Sequence, residues 1–362
     1  MTDHMKPLGK SRESTTTLTD LPAFGICGWS GSGKTSLIER VVPHLRKKGL
    51  QVAVLKQTDH EIDVDHPGKD SDRLFRAGAD VFLKGSEEGL VRSRETAHVS
   101  LSATLSSLPL KYDLVLVEGH KKSPLPKVWL LDPTENRAPA EIEEIVATLP
   151  RDSDRVGSFL SILDNWLSKQ WLKTPVFGCL LIGGQSKRMG HPKHMIRKDG
   201  KTWIERSVGL LHELTSTVMI AGTGGLPEGL GHCLRLADVP DVRGPMAGVL
   251  AALRWAPCAS WLVAACDLPL LSRPSLEWLL STRAPGVWAT LPQLRGQDGR
   301  IEPLLAHYDF RSRSLVESLA TQGDFSLSRL GTHPKVIVPS PPSSLVPAWQ
   351  DVNTPSEVKQ VG

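Results

Sequence analysis

Two glycine-rich loops carry the chemistry legible in this chain, one in each half. The first reads Gly28-Trp29-Ser30-Gly31-Ser32-Gly33-Lys34-Thr35. Glycines at 28, 31 and 33 let the backbone turn so that successive N–H groups face one anion, the G-x-x-x-x-G-K-[ST] spacing of a phosphate loop. Lys34 is placed to reach the β and γ phosphates of a nucleotide, and Thr35 offers its hydroxyl to Mg2+. Gly28, Ser30, Gly31, Ser32, Gly33, Lys34 and Thr35 are therefore the expected nucleotide site of the first half. Glu118, at the end of the apolar strand Leu114 to Val117, is the carboxylate expected beside that metal.

The second loop, Leu181-Ile182-Gly183-Gly184-Gln185-Ser186-Lys187-Arg188-Met189-Gly190-His191-Pro192-Lys193, works differently. Gly183 and Gly184 allow a nucleotide close to the backbone, while Lys187, Arg188 and Lys193 set positive charge against a triphosphate. Asp267 closes another apolar strand, at the strand ends where open α/β sheets bind ligands. Its carboxylate and the Asn353 side-chain oxygen are hard donors suited to Mg2+ shared with substrate phosphates.

These residues need elements to hold them, and strand and helix signals alternate as in parallel sheets. In the first half, strand Phe24 to Cys27 precedes the loop. A helix follows with Leu37, Val41 and Leu45 on one face, basic residues in its last turn and Gly49 as its stop. Val52 to Leu55 is expected as a buried strand, and Ala140 to Leu149 and Val156 to Trp171 as helices. The second half restarts with strand Val176 to Ile182. Helix Trp203 to Leu214, strand Val218 to Ala221, helix Met246 to Trp255, strand Trp261 to Ala265 and helix Pro274 to Leu280 come next. Pro339 to Pro347 reads as a surface loop. The expected organisation is a loose tail over residues 1–20, a P-loop domain over 21–172 and a nucleotidyltransferase domain over 173–362, with Lys173-Thr174-Pro175 at the break.

Composition fits two α/β domains. A chain of 362 residues, 40% hydrophobic and 23% charged, is ordinary for two globular domains. A net charge of +4 argues against a broad nucleic-acid surface. No apolar run reaches the ~18 residues that suggest a membrane span. The 5 cysteines, Cys27, Cys179, Cys233, Cys258 and Cys266, form no C-x-x-C pair, against a disulfide framework or a zinc site. A reducing cytoplasm is the expected compartment, with neither nucleic acid nor membrane as a partner.

Further motifs give each half a family resemblance. Lys56-Gln57-Thr58-Asp59-His60, Asp65-His66-Pro67-Gly68-Lys69-Asp70-Ser71, Ala77-Gly78-Ala79 and Val115-Leu116-Val117-Glu118-Gly119-His120-Lys121 follow the first loop in order. Over roughly residues 22–165 the chain thus resembles the molybdopterin-guanine dinucleotide biosynthesis adaptor family. That resemblance implies a P-loop NTPase-like parallel sheet that binds GTP. The family's His-rich stretch is interrupted here by Gln57 and Asp59, and His60 and His66 read as solvated loop residues.

The second half carries Gly183-Gly184-Gln185-Ser186-Lys187-Arg188-Met189-Gly190, Lys193, Gly244-Pro245-Met246-Ala247-Gly248, Cys266-Asp267-Leu268-Pro269, Glu302-Pro303-Leu304 and Asn353-Thr354-Pro355. Over roughly residues 176–360 it resembles the molybdenum cofactor guanylyltransferases, which implies a Rossmann-like domain of the nucleotide-diphospho-sugar transferase type. By that resemblance Leu181, Ile182, Gly183, Gly184, Lys193, Asp238 and Asp267 hold GTP, and Arg188, Lys193 and Asp267 are catalytic. Mg2+ is the implied cofactor, on Asp267 and Asn353 here and on Thr35 and Glu118 in the P-loop half. The implied reaction moves GMP from GTP to molybdopterin or molybdenum-molybdopterin and releases pyrophosphate. Molybdenum-insertion proteins and molybdoenzyme apoproteins are further implied partners. Pro-Lys at Pro192-Lys193 also occurs in cytidylyltransferases of the same superfamily, so a cytidylyltransferase of the same cofactor stays as an alternative. A sugar-phosphate nucleotidyltransferase fused to a P-loop kinase is the other.

Overall fold

A computed structural model describes residues 22–56, 65–93, 101–183, 192–294, 299–354 and 356–358. The chain divides into two compact units, one of residues up to 41 and 52–159, the other of 42–51 and 160 onward.

The first unit opens with strand β1 (Ala23–Gly28), whose residues are buried, and the loop then leads into helix α1 (Lys34–Lys47). Leu37, Val41 and Leu45 are buried at helical spacing, and Gly49 ends the run at φ 83°. β2 (Val52–Lys56), α2 (Asp70–Arg76), the hairpin β3 (Val81–Lys84) and β4 (Gly89–Arg92), and α3 (Leu101–Ser107) follow. β5 (Leu114–Glu118), β6 (Lys127–Leu130), β7 (Ile145–Leu149) and α4 (Arg155–Leu172) complete the elements of the first half. Among the described residues five strands form a parallel sheet in the order β2-β5-β1-β6-β7.

Two expectations are corrected here. Ala140 to Leu149 is not a helix: Ile145–Leu149 is β7, which pairs parallel with β6 and matches Leu149 to Leu130. Ile142, Ile145, Val146 and Leu149 imitate a helical apolar spacing, but the alternating burial of Ile145, Val146, Ala147 and Thr148 has the period of a strand. β2 is half-buried rather than buried, with Val54 46% exposed, because it lies at the sheet edge and only one side is paired.

The second unit carries β8 (Val176–Leu181), the small hairpin β9 (Arg197–Lys198) and β10 (Lys201–Thr202), α5 (Trp203–His212), β11 (Val218–Ala221), β12 (Leu234–Leu236) and α6 (Pro245–Trp255). β13 (Ser260–Ala265), α7 (Arg273–Ser281), β14 (Ala289–Thr290), β15 (Leu305–Tyr308), α8 (Arg313–Thr321) and β16 (Val336–Ile337) follow. Among the described residues seven strands order as β12-β11-β8-β13-β15-β14-β16. β12, β11, β8 and β13 run parallel, and β15 is antiparallel to both β13 and β14. Alternate strand residues feed two cores. Leu180, Ile220 and Leu262 pack with α5 residues Ile204 and Val208, whereas Cys179, Met219 and Trp261 pack with α6 residues Val249 and Leu250. A capping box starts α5: Thr202 Oγ1 accepts from Glu205 N at 3.3 Å, and Glu205 Oε2 accepts from Thr202 N at 2.7 Å. Such a cap contributes about 1 kcal/mol. Among the described residues no helix is long and apolar enough to cross a membrane.

Gly222 shows how tightly the strand ends are set. It follows β11 at φ 108°, and a Cβ there would lie 1.9 Å from the Ile182 carbonyl oxygen. A side chain would meet rigid backbone as well as a left-handed conformation, so Gly222→Ala should destabilise the second unit by about 2 kcal/mol or more. Chemical denaturation followed by circular dichroism measures this. An unshifted transition would show that Ile182 yields without cost.

Candidate functional site

In the first unit, the turn from β1 into α1 sets the phosphate loop. A Cβ on Gly28 would stand 2.5 Å from Ser32 Oγ and 2.8 Å from the Leu130 carbonyl oxygen, so the tight approach of loop to β6 needs glycine. Ser32 Oγ is buried without a hydrogen-bond partner among the described residues. Lys34 Nζ folds over the loop and donates to the carbonyls of Trp29 at 2.7 Å and Gly28 at 3.2 Å. Burial lowers the Lys34 pKa, and the Glu118 carboxylate opposes that shift.

Glu118 ends β5 in register with Ile26 of β1 and Lys56 of β2. Thr35 Oγ1 donates to Glu118 Oε1 at 3.0 Å, and Lys56 Nζ lies 3.2 Å from the same oxygen. The two side chains nominated for metal in this half are thus brought into contact, and Lys56 joins them as a counter-charge that the sequence reading did not place. Arg155 was also missed. Its guanidinium donates to the carbonyls of Ser32 at 2.7 Å, Leu131 at 2.5 Å and Pro150 at 2.9 Å, and so fastens the loop from behind. Lys121 Nζ stands 3.9 Å from the Trp29 ring, which meets Trp129 edge-on. Three widely spaced carbonyls leave no local signal for Arg155. Lys56 could have been found by setting the two strand ends side by side.

In the second unit, β13 pairs with β8 so that Ala265 opposes Leu181, and Cys266 N donates to the Leu181 carbonyl at 3.1 Å. Gly183 and Asp267 therefore leave neighbouring strands at one end of the sheet. Val352 N donates to the Asp267 carbonyl at 3.1 Å, which lays the C-terminal segment against the same end. Lys193 Nζ closes the group, donating to Asp267 Oδ2 at 3.0 Å and Asn353 Oδ1 at 2.6 Å. Asn353 Nδ2 in turn donates to Asp351 Oδ2 at 2.8 Å. One ammonium bridges two hard oxygens whose residues are far apart in sequence.

Asp238 lies elsewhere on the same edge. It follows β12, three steps from β13 in the sheet order, and burial raises its carboxyl pKa. A Cβ on Gly248 of α6 would lie 2.8 Å from Leu181 Cδ2 and 3.7 Å from Asp238 Oδ1, so Asp238 and Leu181 share the space under α6. Gly184, Lys187 and Arg188 lie outside the described residues, as do residues 1–20 and His60. The described His66 is in a loop, its N–H donating to Asp65 Oδ1 at 2.9 Å. All five cysteines are free, and burial pushes the thiols of Cys179 and Cys266 up to about 12, which suits packing rather than chemistry. Among the described residues no three or more His, Cys, Asp or Glu side chains gather as a metal site.

Comparison with known proteins matches each unit to a family. The family described as molybdopterin guanine dinucleotide synthesis protein B matches residues 23–150, and the MobA-like NTP transferase domain matches residues 178–335. A molybdopterin-guanine dinucleotide biosynthesis adapter protein of Haemophilus influenzae is 34% identical over 160 residues, 41% of this chain and 90% of that protein. A probable molybdenum cofactor guanylyltransferase of Pelotomaculum thermopropionicum is 36% identical over 146 residues, 39% of this chain and 68% of its own length. A molybdenum cofactor biosynthesis bifunctional protein of Synechocystis is 32% identical over 120 residues, 33% of this chain and 35% of that protein. With its phosphate loop in one half and its transferase strand ends in the other, the chain belongs to both the adapter and the guanylyltransferase families, and is a bifunctional molybdenum cofactor biosynthesis protein.

Proposed function

We propose that the second unit transfers GMP from GTP to the terminal phosphate of molybdopterin or molybdenum-molybdopterin, and that the first unit binds GTP as its adaptor. The observation that carries this reading is the convergence of Lys193, Asp267 and Asn353 at the strand ends beside Gly183. An oxygen of the acceptor phosphate attacks the α phosphorus of GTP in line. The bond to the bridging oxygen breaks, and pyrophosphate leaves with that electron pair. The attacking phosphate is already ionised at neutral pH, so no side chain need take a proton. Gly183 and Gly184 admit the triphosphate close to the backbone, and Leu181, Ile182 and Asp238 line the nucleotide. Lys193 and Arg188 stabilise the charge that gathers on the phosphoryl oxygens.

The donor set fits a hard divalent cation, for which we assign Mg2+. The Asp267 and Asn353 oxygens already share one cation, the Lys193 ammonium. When bound there, the metal would neutralise phosphate charge and orient the attacking and leaving oxygens. Thr35 and Glu118 offer an equivalent oxygen pair to the nucleotide of the first unit. We take the boundary between the two activities to be Lys173-Thr174-Pro175, and a reducing cytoplasm to be the working compartment. Molybdenum-insertion proteins and molybdoenzyme apoproteins complete the proposed partners.

Base choice tests the reading. Turnover with GTP should exceed that with CTP at least tenfold, about 1.4 kcal/mol of discrimination, when molybdopterin is the acceptor. Equal or better turnover with CTP would make the protein a cytidylyltransferase of the same cofactor.

A further inference from the structure

The ion pair that holds Lys193 cannot be what aims it during transfer. Its ammonium rests on Asp267 Oδ2 and Asn353 Oδ1, the two oxygens assigned above to the divalent cation. Once a cation and a triphosphate arrive, the amine depends on its backbone for its place. That backbone is a tight turn, in which Met195 N donates to the Pro192 carbonyl at 3.0 Å and Ile196 N to the Lys193 carbonyl at 3.1 Å. At one end the Ile196 carbonyl accepts from Trp203 N at 2.9 Å, which ties the turn to the start of α5. On its other side stands His194.

His194 is buried, 4% exposed, and its Nε2 lies 2.9 Å from the Gly225 carbonyl oxygen. A carbonyl only accepts, so Nε2 carries the proton and donates it. The segment that receives this bond, 222–225, leaves β11 where Ala221 pairs with Leu181 of β8. Its root is fixed on β12: Gly222 N donates to the Leu236 carbonyl at 3.3 Å, and the Gly222 carbonyl accepts from Arg235 Nη2 at 3.1 Å. A Cβ on Gly224 would lie 3.0 Å from His194 Cε1 and 3.7 Å from Ile182 Cδ1, and one on Gly183 would lie 3.9 Å from the Thr223 carbonyl oxygen. The segment thus fits between the imidazole and the start of the nucleotide loop, and glycine at 224 makes the room. A buried N–H is costly to leave unpaired, which favours this one seat for the turn.

We propose that His194 is a positioning residue: through the Gly225 carbonyl it fixes the Lys193 turn against the strand end that carries Gly183, and so aims the amine at the phosphoryl oxygens. The proposal rests on the transfer reading above and adds what keeps its lysine in place. His194 need touch neither nucleotide nor acceptor. Its effect is on the rate, because a misplacement of ~1 Å in a charged group can cost ~100-fold.

Three variants of the full chain test it. His194→Leu keeps the bulk and removes the donor, and should lower kcat about tenfold or more with KM for GTP within about threefold, the pattern of an interaction used in the transition state. His194→Gln restores an amide N–H at about the reach of Nε2 and should recover kcat to within about threefold of wild type. In a Lys193→Ala background His194→Leu should cost less than about twofold further, since it acts through that lysine. Circular dichroism checks folding, and His194→Met, apolar and flexible, replaces the leucine variant if that one unfolds. Wild-type kcat in the leucine variant, a change confined to KM, a glutamine variant as slow as the leucine one, or the full drop in the Lys193→Ala background would each overturn the proposal. A second readout needs no turnover. Lys193, its side chain 17% exposed, should be acylated by acetic anhydride about threefold faster in His194→Leu, the scale on which losing one partly exposed ion pair frees an amine. The glutamine variant should label as wild type does, and peptide mapping by mass spectrometry reads the site. Unchanged Lys193 labelling in the leucine variant sinks the positioning claim alone, whereas absent GMP transfer by the wild-type chain sinks the transfer reading alone.

Discussion

Asp267→Asn is expected to lower nucleotidyl transfer by about 100-fold or more, the range that one strong electrostatic contributor supplies. The substitution keeps the size of the side chain and removes its charge. Lys193 Nζ, which donates to Asp267 Oδ2 at 3.0 Å and to Asn353 Oδ1 at 2.6 Å, would retain neutral acceptors but lose its counter-ion. Cation affinity at the strand ends should fall with the rate, so titrating the divalent metal should show its midpoint moved upward. GTP binding by the first unit should not change, because that unit has its own loop and its own carboxylate in Glu118. Near wild-type transfer would make Asp267 a structural partner of Lys193 and nothing more.

Lys34→Ala should do the converse. Lys34 Nζ is held only by the carbonyls of Trp29 and Gly28 in the contacts described above, positions from which a phosphate can draw it. Its removal should weaken GTP binding by the first unit about 100-fold, roughly 2.7 kcal/mol, as expected for a charge-assisted contact. Measurement in a Lys193→Ala background isolates that site, because the second nucleotide pocket is then weakened. In the Lys34→Ala single variant, transfer by the second unit should stay within about twofold at saturating acceptor, the fusion serving to raise the effective concentration of one unit near the other into the ~mM range. Transfer that falls in step with GTP binding would mean that the P-loop unit supplies part of the active site.

The parts legible in the sequence were those whose information is local. The β1-loop-α1 succession follows from an apolar run, a glycine-rich turn and a helical stripe of Leu37, Val41 and Leu45. Strand β13 and the Asp267 that follows two residues beyond its end were equally plain. Parallel registry was not. Lys56 reaches Glu118 because β2 and β5 end together, Arg155 reaches Ser32 from the far end of the first unit, and Ile145–Leu149 becomes a strand because β6 offers it an edge. Each depends on which strands become neighbours, and apolar spacing alone does not carry that. Glu302 was visible as part of a motif, but the cleft that it lines with Met246, Leu304 and Phe325 forms only when β15 runs antiparallel beside β13.

Transfer itself is tested most directly by following the phosphorus atoms. The purified full chain is incubated with molybdopterin, Mg2+ and GTP labelled at either the α or the γ phosphate, and the products are separated and weighed by mass spectrometry. Label from the α position should appear in a molybdopterin-guanine dinucleotide, label from the γ position should appear in pyrophosphate, and the two products should form in equal amounts. Release of γ-labelled inorganic phosphate with no dinucleotide would contradict the transfer reading and leave this chain a GTP-hydrolysing protein.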